Sequence, residues 1–346
     1  MTAIALRRET SSLPGIAPGT AAIGALALRL SPGLADVERR LRETVRVGRR
    51  VGRCVDQMLL RPGKRIRPMC VLLAAELGRG KSEATLALAA AAELVHGATL
   101  LHDDVIDEGE QRRGAPAARM LEGNAASVLA GDWLLTTALC QVRATAVDGA
   151  LDDLLAVLQA LVAAEALQLD GRGNLDPDVA TYERIVDGKT ASLFRFCLGA
   201  GARAGGVDDR ARRALEAFGA RLGRVFQLTD DLLDYGGDPA ATGKALYEDL
   251  RQGKATYPLI LALERDPALR ATIEHALQDG MTDWRAIGAD VRRRIDRAGA
   301  LHDARARAAE VTRDAVAELE HVPDGPTRRA LAAVAETIGA RASAGR

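Results

Sequence analysis

The residues available for a hydrophobic core restrict this chain to a helical fold. Aromatic residues make up only 3% of the 346 residues, and none precedes Trp133. Hydrophobic residues nevertheless reach 48%, so the core must consist mainly of Ala, Leu and Val. Ala and Leu are strong helix formers, whereas runs of Val, Ile, Thr and Tyr, which are typical of strands, are nearly missing. The composition therefore predicts an all-α globule.

Apolar residues repeat at intervals of three and four along most of the chain, which predicts ten or more helices. The first, near Leu34, carries arginines on its opposite face; these favour a solvated surface, with contact to a membrane or a partner as the alternative. Since no long linker separates the helices, residues 33–346 are predicted to form one domain, preceded by a flexible lead over residues 1–32. The later helices are expected over residues 69–78, 82–108, 124–146, 151–170, 178–204, 208–235, 254–264, 268–279, 283–299, 300–319 and 325–342.

Charge balance and cysteine spacing argue against several classes of function. Lys plus Arg and Asp plus Glu number 47 each, so there is no overall basic field to hold nucleic acid. The four cysteines form no C-x-x-C pair, which indicates buried thiols in a reducing compartment, and we expect a cytoplasmic protein. No run of about 20 uncharged apolar residues occurs, so we expect no transmembrane segment. Peripheral contact with a membrane stays open.

Two acidic clusters of the form D-D-x-x-D are the main functional signal. Each ends a long apolar helix, and together they contain Asp103, Asp104, Asp107, Asp230, Asp231 and Asp234. The i, i+4 spacing places the first and last carboxylate of each cluster on one helix face. Acids at a helix C-terminus oppose the helix dipole, so helix formation gives no reason for them. Clusters that face each other would hold hard divalent cations, most naturally Mg²⁺ that also binds substrate phosphates.

Other adjacent aspartates show that a bare Asp-Asp pair is a weak signal. Asp152-Asp153 and Asp208-Asp209 lack the third carboxylate and stand where helices are expected to begin. Acidic residues at a helix N-terminus favour the helix by themselves, so we interpret both pairs as caps. The two D-D-x-x-D clusters have no such explanation.

Basic side chains that suit phosphate oxygens accompany both clusters. Arg112 and Arg113 follow the first cluster closely, and a guanidinium group can pair with phosphate through two parallel hydrogen bonds. Their alternative partners are Glu108 and Glu110 in the same loop. Other basic residues stand in or near glycine- or proline-containing turns, where each alone is commonly a solubilising residue: Lys64, Arg65, Arg67, Lys189, Lys244 and Lys254.

His96 is a further candidate for the site. It precedes Asp103 by seven residues, so it lies on the same helix face, two turns away. A lone histidine in an apolar helix is usually a hydrogen-bonded core residue. We favour a functional role here because the side chain lies along the face that carries the metal cluster.

Taken in order, these motifs resemble those of the trans-type polyprenyl diphosphate synthases, the polyprenyl synthetase family. The resemblance implies a single large helical bundle around a deep central cavity, of the isoprenoid synthase type, assembled as a homodimer. It also implies a chain-elongating prenyltransferase that condenses isopentenyl diphosphate with an allylic diphosphate to give a trans polyprenyl diphosphate. The matching segments are residues 63–68 (GKRIRP), 100–114 (LLHDDVIDEGEQRRG), 131–132 (GD), 188–190 (GKT), 226–234 (FQLTDDLLD), 243–250 (GKALYEDL) and 253–254 (GK).

The resemblance assigns a role to each matching residue. The six aspartates would be catalytic and hold Mg²⁺, with three ions per active site when substrate is bound. Lys189 would also be catalytic and would bind the allylic diphosphate together with Arg112, Thr190, Gln227, Lys244 and Lys254. The diphosphate of isopentenyl diphosphate would be held by Lys64, Arg67, His96 and Arg113.

Product length is expected to follow the depth of the cavity beside the helix that ends in the first cluster. Ala98 and Val95 would form the wall, and no aromatic side chain occurs between Ser82 and Leu101. In the family, a bulky ring just before the first aspartate stops elongation early. We therefore expect a product longer than farnesyl, in the range of quinone side chains, with a geranylgeranyl diphosphate synthase as the nearest alternative.

Two other functions compete with chain elongation. A non-catalytic subunit of a heteromeric synthase tends to lose aspartates from one cluster, whereas this chain keeps all six. An enzyme that cyclises a prenyl diphosphate, or joins two head to head, usually lacks the basic loops around Lys64 and Arg112 that hold a second diphosphate. Since both loops are present, the chain-elongating enzyme is favoured.

Overall fold

The structure is a computed structural model that describes residues 24–26, 28–60, 63–112, 114–175, 178–236, 246–278 and 283–343, without the side chains of Trp284 and Arg285. Throughout this part of the chain the regular structure is helical, apart from one antiparallel pair of two-residue strands. These strands are Gln111–Arg112 (β1) and Ala115–Pro116 (β2), and they form the turn that follows the first aspartate cluster. The predicted all-α class is confirmed.

The described helices follow one another closely along the chain. In the first half they are α1 (Ser31–Glu43), α2 (Arg49–Leu59), α3 (Ile66–Glu76), α4 (Glu83–Ile106), α5 (Ala118–Glu122), α6 (Asn124–Ala144) and α7 (Ala150–Asp170). In the second half they are α8 (Val179–Val186), α9 (Ser192–Gly205), α10 (Asp209–Gly236), α11 (Glu248–Arg251), α12 (Tyr257–Arg265), α13 (Pro267–Gln278), α14 (Trp284–Arg297), α15 (Ala300–Glu318) and α16 (Pro326–Arg341). A π-turn, Asp187–Ala191, joins α8 to α9, and a 3₁₀ turn, Leu319–His321, extends α15.

The two isolated Asp-Asp pairs lie at helix starts. Oδ1 of Asp208 accepts the backbone N–H groups of Arg210 and Ala211, both at 3.0 Å, and so caps α10. Asp152 and Asp153 lie in the first turn of α7, where the helix dipole favours negative charge. The interpretation as a cap is confirmed for Asp208, whereas Asp152 and Asp153 lie in the first turn and make no side-chain cap hydrogen bond within the described residues.

Small residues let the central helices approach one another closely. α4 packs between α3 and α6, while α9 lies against α3 and α10. A Cβ on Gly201 would lie 2.3 Å from the carbonyl oxygen of Val71, and one on Gly205 would lie 2.7 Å from that of Ala75. Glycine is therefore needed where α9 crosses α3. α4 buries alanine and leucine along most of its length, so the expected core of small aliphatic residues is present.

Two helices, α4 and α6, are long and apolar enough to cross a membrane, by length and composition only. In the most apolar stretch of α4, 72% of the residues are buried inside the fold, so α4 serves as its core helix. The corresponding share of α6 is 39%, and its open face carries Val128, Leu129 and Trp133. Several exposed apolar side chains on one helix commonly mark an interface.

Part of the segment that the sequence assigned to a flexible lead is helical and packed. Residues 24–26 and 28–29 are in helical conformation, and α1 begins at Ser31. Leu26 and Leu30 are buried against the core, since their apolar side chains leave water there. The packed part of the protein therefore begins before residue 32, where the flexible lead was predicted to end. Residues 1–23 of the predicted lead lie outside the described residues.

Candidate active site

The last turn of α4 separates the three carboxylates of the first cluster. Asp103 and Asp107 are partly exposed on one face, as their i, i+4 spacing predicts. Asp104 is buried on another side of the helix and accepts a hydrogen bond from Nε of Arg112 at 2.7 Å. Burial raises the pKa of Asp104, and Arg112 opposes that shift. Asp104 thus anchors the turn formed by β1 and β2, while Asp103 and Asp107 remain available for other partners.

Two cations from different parts of the chain converge on Asp107. Nζ of Lys254 lies 2.6 Å from Oδ2 of Asp107, and the guanidinium group of Arg172 contacts Oδ1. Nη1 of Arg172 also donates to the carbonyl oxygen of Ile106 at 3.1 Å. A cation is favoured at this C-terminal end of α4 by the helix dipole. The negative charge of Asp107 is therefore balanced by the protein itself.

Lys189 connects the first cluster with α7. Its Nζ lies 2.5 Å from Oε2 of Glu165 and 3.8 Å from Oδ2 of Asp103. Burial by itself would lower the pKa of Lys189, but the charges of Asp103 and Glu165 outweigh it and raise that pKa. Burial raises the pKa of Asp103, and the ammonium group of Lys189 opposes the shift. The contact keeps a charged amine fixed beside Asp103.

A π-turn positions Lys189. The helical segment predicted over residues 178–204 contains a wider π-turn at Asp187–Ala191. A Cβ on Gly188 would lie 2.6 Å from that of Ala164, so α7 passes too close for a side chain at this position. A π-turn inserts one residue into a helix and changes the direction of the side chains around it, and such turns are frequent at functional sites.

Asp231 in the second cluster is surrounded by hydrogen-bond donors. It accepts from the hydroxyl of Tyr182 at 2.8 Å and the side-chain amide of Gln227 at 2.9 Å. The backbone N–H of Tyr257 donates to it at 3.1 Å. These donors are neutral, and burial, with the negative charge of Asp249 adding to it, raises the pKa of Asp231 to about 7. Asp231 therefore holds α8 and the start of α12 against α10.

The other two aspartates of this cluster differ in accessibility. Oδ1 of Asp234 accepts a hydrogen bond from the backbone N–H of Glu248 at 3.1 Å. The carbonyl oxygen of Asp234 accepts a hydrogen bond from the backbone N–H of Tyr247 at 3.1 Å. Asp234 is buried, and it anchors the start of α11 to the end of α10. Asp230 is only partly buried, which makes it the most accessible carboxylate of the second cluster.

A chain of hydrogen bonds joins the π-turn to α10. The hydroxyl of Thr190 donates to Oε1 of Gln227 at 3.0 Å, and Nε2 of Gln227 donates to Asp231 at 2.9 Å. Lys189, which adjoins Thr190, is thereby held in a fixed position relative to the second cluster. The structure thus brings the predicted diphosphate ligands Lys189, Thr190 and Gln227 together. Thr190 and Gln227 are hydrogen-bonded to each other in the protein alone.

The segment after α11 makes a second connection between the clusters. The backbone N–H of Lys254 donates to the carbonyl oxygen of Asp249 at 2.9 Å, and Nζ of Lys254 reaches Asp107. The carboxylate of Asp249 contributes to the raised pKa of Asp231, so this segment also lies near the second cluster. This segment therefore links the two aspartate clusters, and Lys254 extends from the side of the second to the first.

The basic loop before α3 divides into different environments. Arg65 is buried, with Nη1 lying 2.6 Å from Oε1 of Glu93, so it is a structural residue that fixes the loop. The guanidinium group of Arg67 lies 4.8 Å from the ring centroid of Phe194, a distance typical of a cation–π contact. Lys64 is exposed. Only Lys64 and Arg67 of this loop therefore remain candidates for phosphate binding.

The remaining predicted residues fall into two groups. His96 is half-buried in α4, and the predicted chain-length wall, Ala98 and Val95, is fully buried in the same helix. Arg113 and Lys244, two predicted diphosphate ligands, lie outside the described residues. Their roles stay predictions.

The sequence interpretation missed three side chains that take part in the site. Glu165 is an acid on an apolar helix, and that pattern could have indicated a charged partner. Tyr182 reaches Asp231 across 49 residues of sequence, and Arg172 reaches Asp107 across 65. Neither contact has a signal in the local sequence, because each depends on how distant helices pack.

The carboxylates fit a hard divalent cation that arrives with a substrate. Aspartate oxygens are the ligands that Mg²⁺ prefers in proteins, and Asp103, Asp107 and Asp230 are the accessible ones. In the part of the chain that the structure describes, no three Asp, Glu, His or Cys side chains converge closely enough to hold an ion by themselves. Oxygens of a diphosphate would complete such a ligand set and would attract the lysine and arginine side chains as well.

The fold is shared with prenyl-chain synthases of known structure. A polyprenyl synthase from Caulobacter crescentus CB15, complexed with calcium and isoprenyl diphosphate, is 35% identical and has a TM-score of 0.87, covering 92% of this chain and 97% of the other. A decaprenyl diphosphate synthase from Rhodobacter capsulatus is 34% identical and has a TM-score of 0.85, covering 92% and 99% respectively. The shared class is therefore that of the isoprenyl diphosphate synthases.

The family follows from the sequence as well. Residues 49–289 match the model of the polyprenyl synthetase family. The octaprenyl diphosphate synthase of Escherichia coli (strain K12) is 36% identical over 274 residues, which cover 79% of this chain and 84% of that protein. The chain belongs to the polyprenyl synthetase family, and the resemblance that its motifs indicated is confirmed.

Asp231 is expected to make the stability of the metal-free protein depend on pH. Its pKa rises from 3.8 to about 7 in the fold, so between these values the folded protein binds more protons than the unfolded chain. The stabilisation from this group is complete below about pH 4 and is lost as the pH rises through about 7. Urea unfolding with a chelator present, from about pH 4 to about pH 8, measures this fall in the free energy of unfolding.

The variant Asp231→Asn is expected to show a shallower fall over that range, because the titrating group is gone. Asp152→Asn, which changes an exposed acid in the first turn of α7, is the control and should keep the full fall. Equal pH dependence of the wild type and Asp231→Asn would show that Asp231 does not titrate in this range.

Proposed function

We propose that this protein is a chain-elongating prenyltransferase that condenses isopentenyl diphosphate with an allylic diphosphate to give a longer trans polyprenyl diphosphate. The observation that carries the proposal is that one segment links the two aspartate clusters: Lys254 contacts Asp107 on α4, and Asp249 lies near Asp231 on α10. Acidic clusters suit metal ions, and the cations beside them suit a diphosphate. The names of the relatives, octaprenyl and decaprenyl diphosphate synthase, support the same reaction. The cations come from four separate segments: Arg112, Arg172, Lys189 and Lys254.

We assign metal binding mainly to the accessible carboxylates. Bound Mg²⁺ would neutralise the diphosphate as it leaves the allylic carbon. Asp103 and Asp107 on α4 and Asp230 on α10 are only partly buried, so metal binding is assigned to them, and three ions per site are expected from the family resemblance. The remaining aspartates hold the adjoining loops by hydrogen bonds. The six aspartates therefore have different proposed roles, whereas the sequence resemblance assigned metal binding to all of them.

The cations act where negative charge develops on the leaving group. Lys189 keeps its charge because Asp103 and Glu165 raise its pKa, and with Lys254 it can stabilise the departing diphosphate. The allylic C–O bond breaks, the alkene of isopentenyl diphosphate forms the new C–C bond, and a proton is transferred to the departing diphosphate. The second substrate's diphosphate is assigned to Lys64, Arg67, His96 and Arg113.

The aspartates on either side of the site give the main test of this function. Asp103→Asn and Asp230→Asn are each expected to lower kcat/KM by about 100-fold or more, because each removes a charged metal ligand. The assay uses purified protein, labelled isopentenyl diphosphate, an allylic primer and Mg²⁺.

Asp153→Asn is the control for this test. Asp153 lies in the first turn of α7 and contacts Arg203, so its variant should keep the wild-type rate within about twofold. Unaltered elongation by both site variants would refute the proposed function. Turnover by the wild type only after addition of a second protein would instead favour the non-catalytic subunit.

We propose a product longer than farnesyl, in the range of quinone side chains. Ala98 and Val95 are fully buried on α4, one to two turns before the first cluster, and neither side chain is bulky. An apolar chain that grows along this face would meet no aromatic ring on α4 between Ser82 and Leu101. The octaprenyl and decaprenyl products named for the relatives support a long chain.

The variant Ala98→Phe is expected to shorten the products, because its ring would fill space that the growing chain needs. Chromatography and mass spectrometry of the products measure the change. Ala309→Phe, at an exposed position of α15, is the control and should leave the product distribution unaltered. Products of wild-type length from Ala98→Phe would show that Ala98 does not form the wall that limits chain length. A geranylgeranyl product from the wild type would support the alternative function, a geranylgeranyl diphosphate synthase.

We propose a homodimer formed through the open face of α6. Val128, Leu129 and Trp133 are exposed there, and Met120 and Leu121 are exposed on the neighbouring α5. Soluble monomers rarely expose so many large apolar side chains together. Light scattering is expected to give twice the chain mass of 36.6 kDa. Leu129→Glu should shift the protein toward the monomer, whereas a monomeric wild type would contradict the proposal.

We also propose a cytoplasmic location. All four cysteines carry free thiols, and three of them are buried, which suits a reducing compartment. A long prenyl product is strongly apolar, so its release would be favoured by peripheral contact of the protein with a membrane surface.

A further inference from the structure

Arg172 and Lys254 reach Asp107 from two turns that are docked on each other. Gly173 directly follows Arg172 and Gly253 directly precedes Lys254, and their φ angles are +70° and +67°. The N–H of Gly173 donates to the carbonyl oxygen of Gly253 at 3.0 Å, and a Cβ on Gly253 would lie 2.9 Å from that nitrogen. Glycine is therefore required at residue 253. The docked turns hold the two cations side by side.

This arrangement pairs Asp107 with two cations in the protein alone. The side chains of Asp107 and Lys254 are only 11% and 14% exposed, so water screens the contact weakly. A divalent cation that approached Asp107 would be repelled by both of its present partners. Metal binding at Asp107 must therefore move at least one of them away from the carboxylate.

The guanidinium group of Arg172 has N–H donors that could bind another anion. Its Nη1 donates to the carbonyl oxygen of Ile106, and Nη2 contacts Asp107. Nε of Arg172 is buried and donates to no atom within the described residues. The five N–H donors of a guanidinium group match the oxygens of a phosphate in a forked geometry. A diphosphate bound with metal at Asp107 would lie within reach of this group.

We propose that Arg172 is a further ligand of the allylic diphosphate, which it binds after the metal ions take its place on Asp107. The inference rests on the proposed function, because it needs a metal-bound diphosphate in the site. Its support is positional: the docked glycine turns place Arg172 beside Lys254, to which the family resemblance assigns that diphosphate. The alternative is a structural role, in which Arg172 only closes the end of α4 and balances Asp107 in the resting protein.

Steady-state kinetics separate these two roles. If Arg172 binds the diphosphate, Arg172→Gln raises the KM of the allylic primer by about tenfold, since a charged hydrogen bond is lost. The KM of isopentenyl diphosphate stays within about twofold of the wild type. Arg172→Lys, which keeps the charge without the fork, gives an intermediate KM. The structural role predicts an unaltered primer KM and a lower Mg²⁺ concentration for half-maximal rate, because a competing cation is gone.

Thermal melting gives a readout that needs no turnover. Inorganic pyrophosphate with Mg²⁺ is expected to raise the melting temperature of the wild type, since a ligand that binds the folded state stabilises it. Arg172→Gln should show less than about half of that rise, yet respond to Mg²⁺ alone at least as strongly as the wild type. Arg203→Gln is the matched control, because Arg203 pairs with a single carboxylate, Asp153, at the far end of α7. It should respond as the wild type does.

The kinetic and melting experiments distinguish a failure of this inference from a failure of the proposed function. A primer KM and a pyrophosphate response that are both unaltered in Arg172→Gln overturn the role of Arg172, while wild-type elongation upholds the function. If the wild type itself does not elongate a primer, the proposed function fails. The melting comparison then still decides whether Arg172 binds a diphosphate together with Mg²⁺.

Discussion

Compensation of negative charge is the constraint on which the whole site depends. Carboxylates at the ends of apolar helices are unfavourable unless charges or hydrogen bonds compensate them. Asp104 receives a guanidinium group, and Asp107 receives a guanidinium and an ammonium group. Asp231 is compensated only by neutral donors, and its pKa is raised to about 7. Burial raises the pKa of both Asp104 and Asp231, and Arg112 opposes that shift at Asp104.

The cations reach the carboxylates because glycine lets backbone segments touch. Gly188 allows α7 to pass beside the π-turn, which brings Glu165 close to Lys189. A Cβ on Gly223 would lie 2.4 Å from Cα of Ala191, so α10 also presses against this turn. Gly253 has the same role for the turn that carries Lys254. Gly188 and Gly253, which adjoin Lys189 and Lys254, are therefore part of the charge arrangement, since each sets the path of a neighbouring cation.

The amino-acid sequence predicts the fold much better than the connections within the site. The helix expected over 124–146 is observed as Asn124–Ala144, and that over 151–170 as Ala150–Asp170, because long apolar periodicity is a strong signal. The π-turn escaped prediction, since a single inserted residue barely disturbs that periodicity. The shared face of Asp103 and Asp107 could be predicted from helix geometry alone. The contacts of Asp231 with Tyr182 and Tyr257 could not, because they depend on how distant helices pack in the bundle.

The middle aspartate has the same position in both clusters, and this links the motif to its counter-charges. The i+1 residue lies about 100° around the helix from residue i, so it cannot share the face of the i, i+4 pair. Asp104 and Asp231 are both buried there, and each accepts a hydrogen bond from a candidate diphosphate ligand: Asp104 from Arg112 in the adjoining turn, and Asp231 from Gln227 one turn earlier on the same helix. One helix turn therefore positions both the carboxylates that we propose to bind metal and the side chains that we propose to bind phosphate. The two clusters differ at the i+4 position, because Asp234 is buried and anchors α11, whereas Asp107 is partly exposed. Asp230 is therefore the most accessible acid of the second cluster.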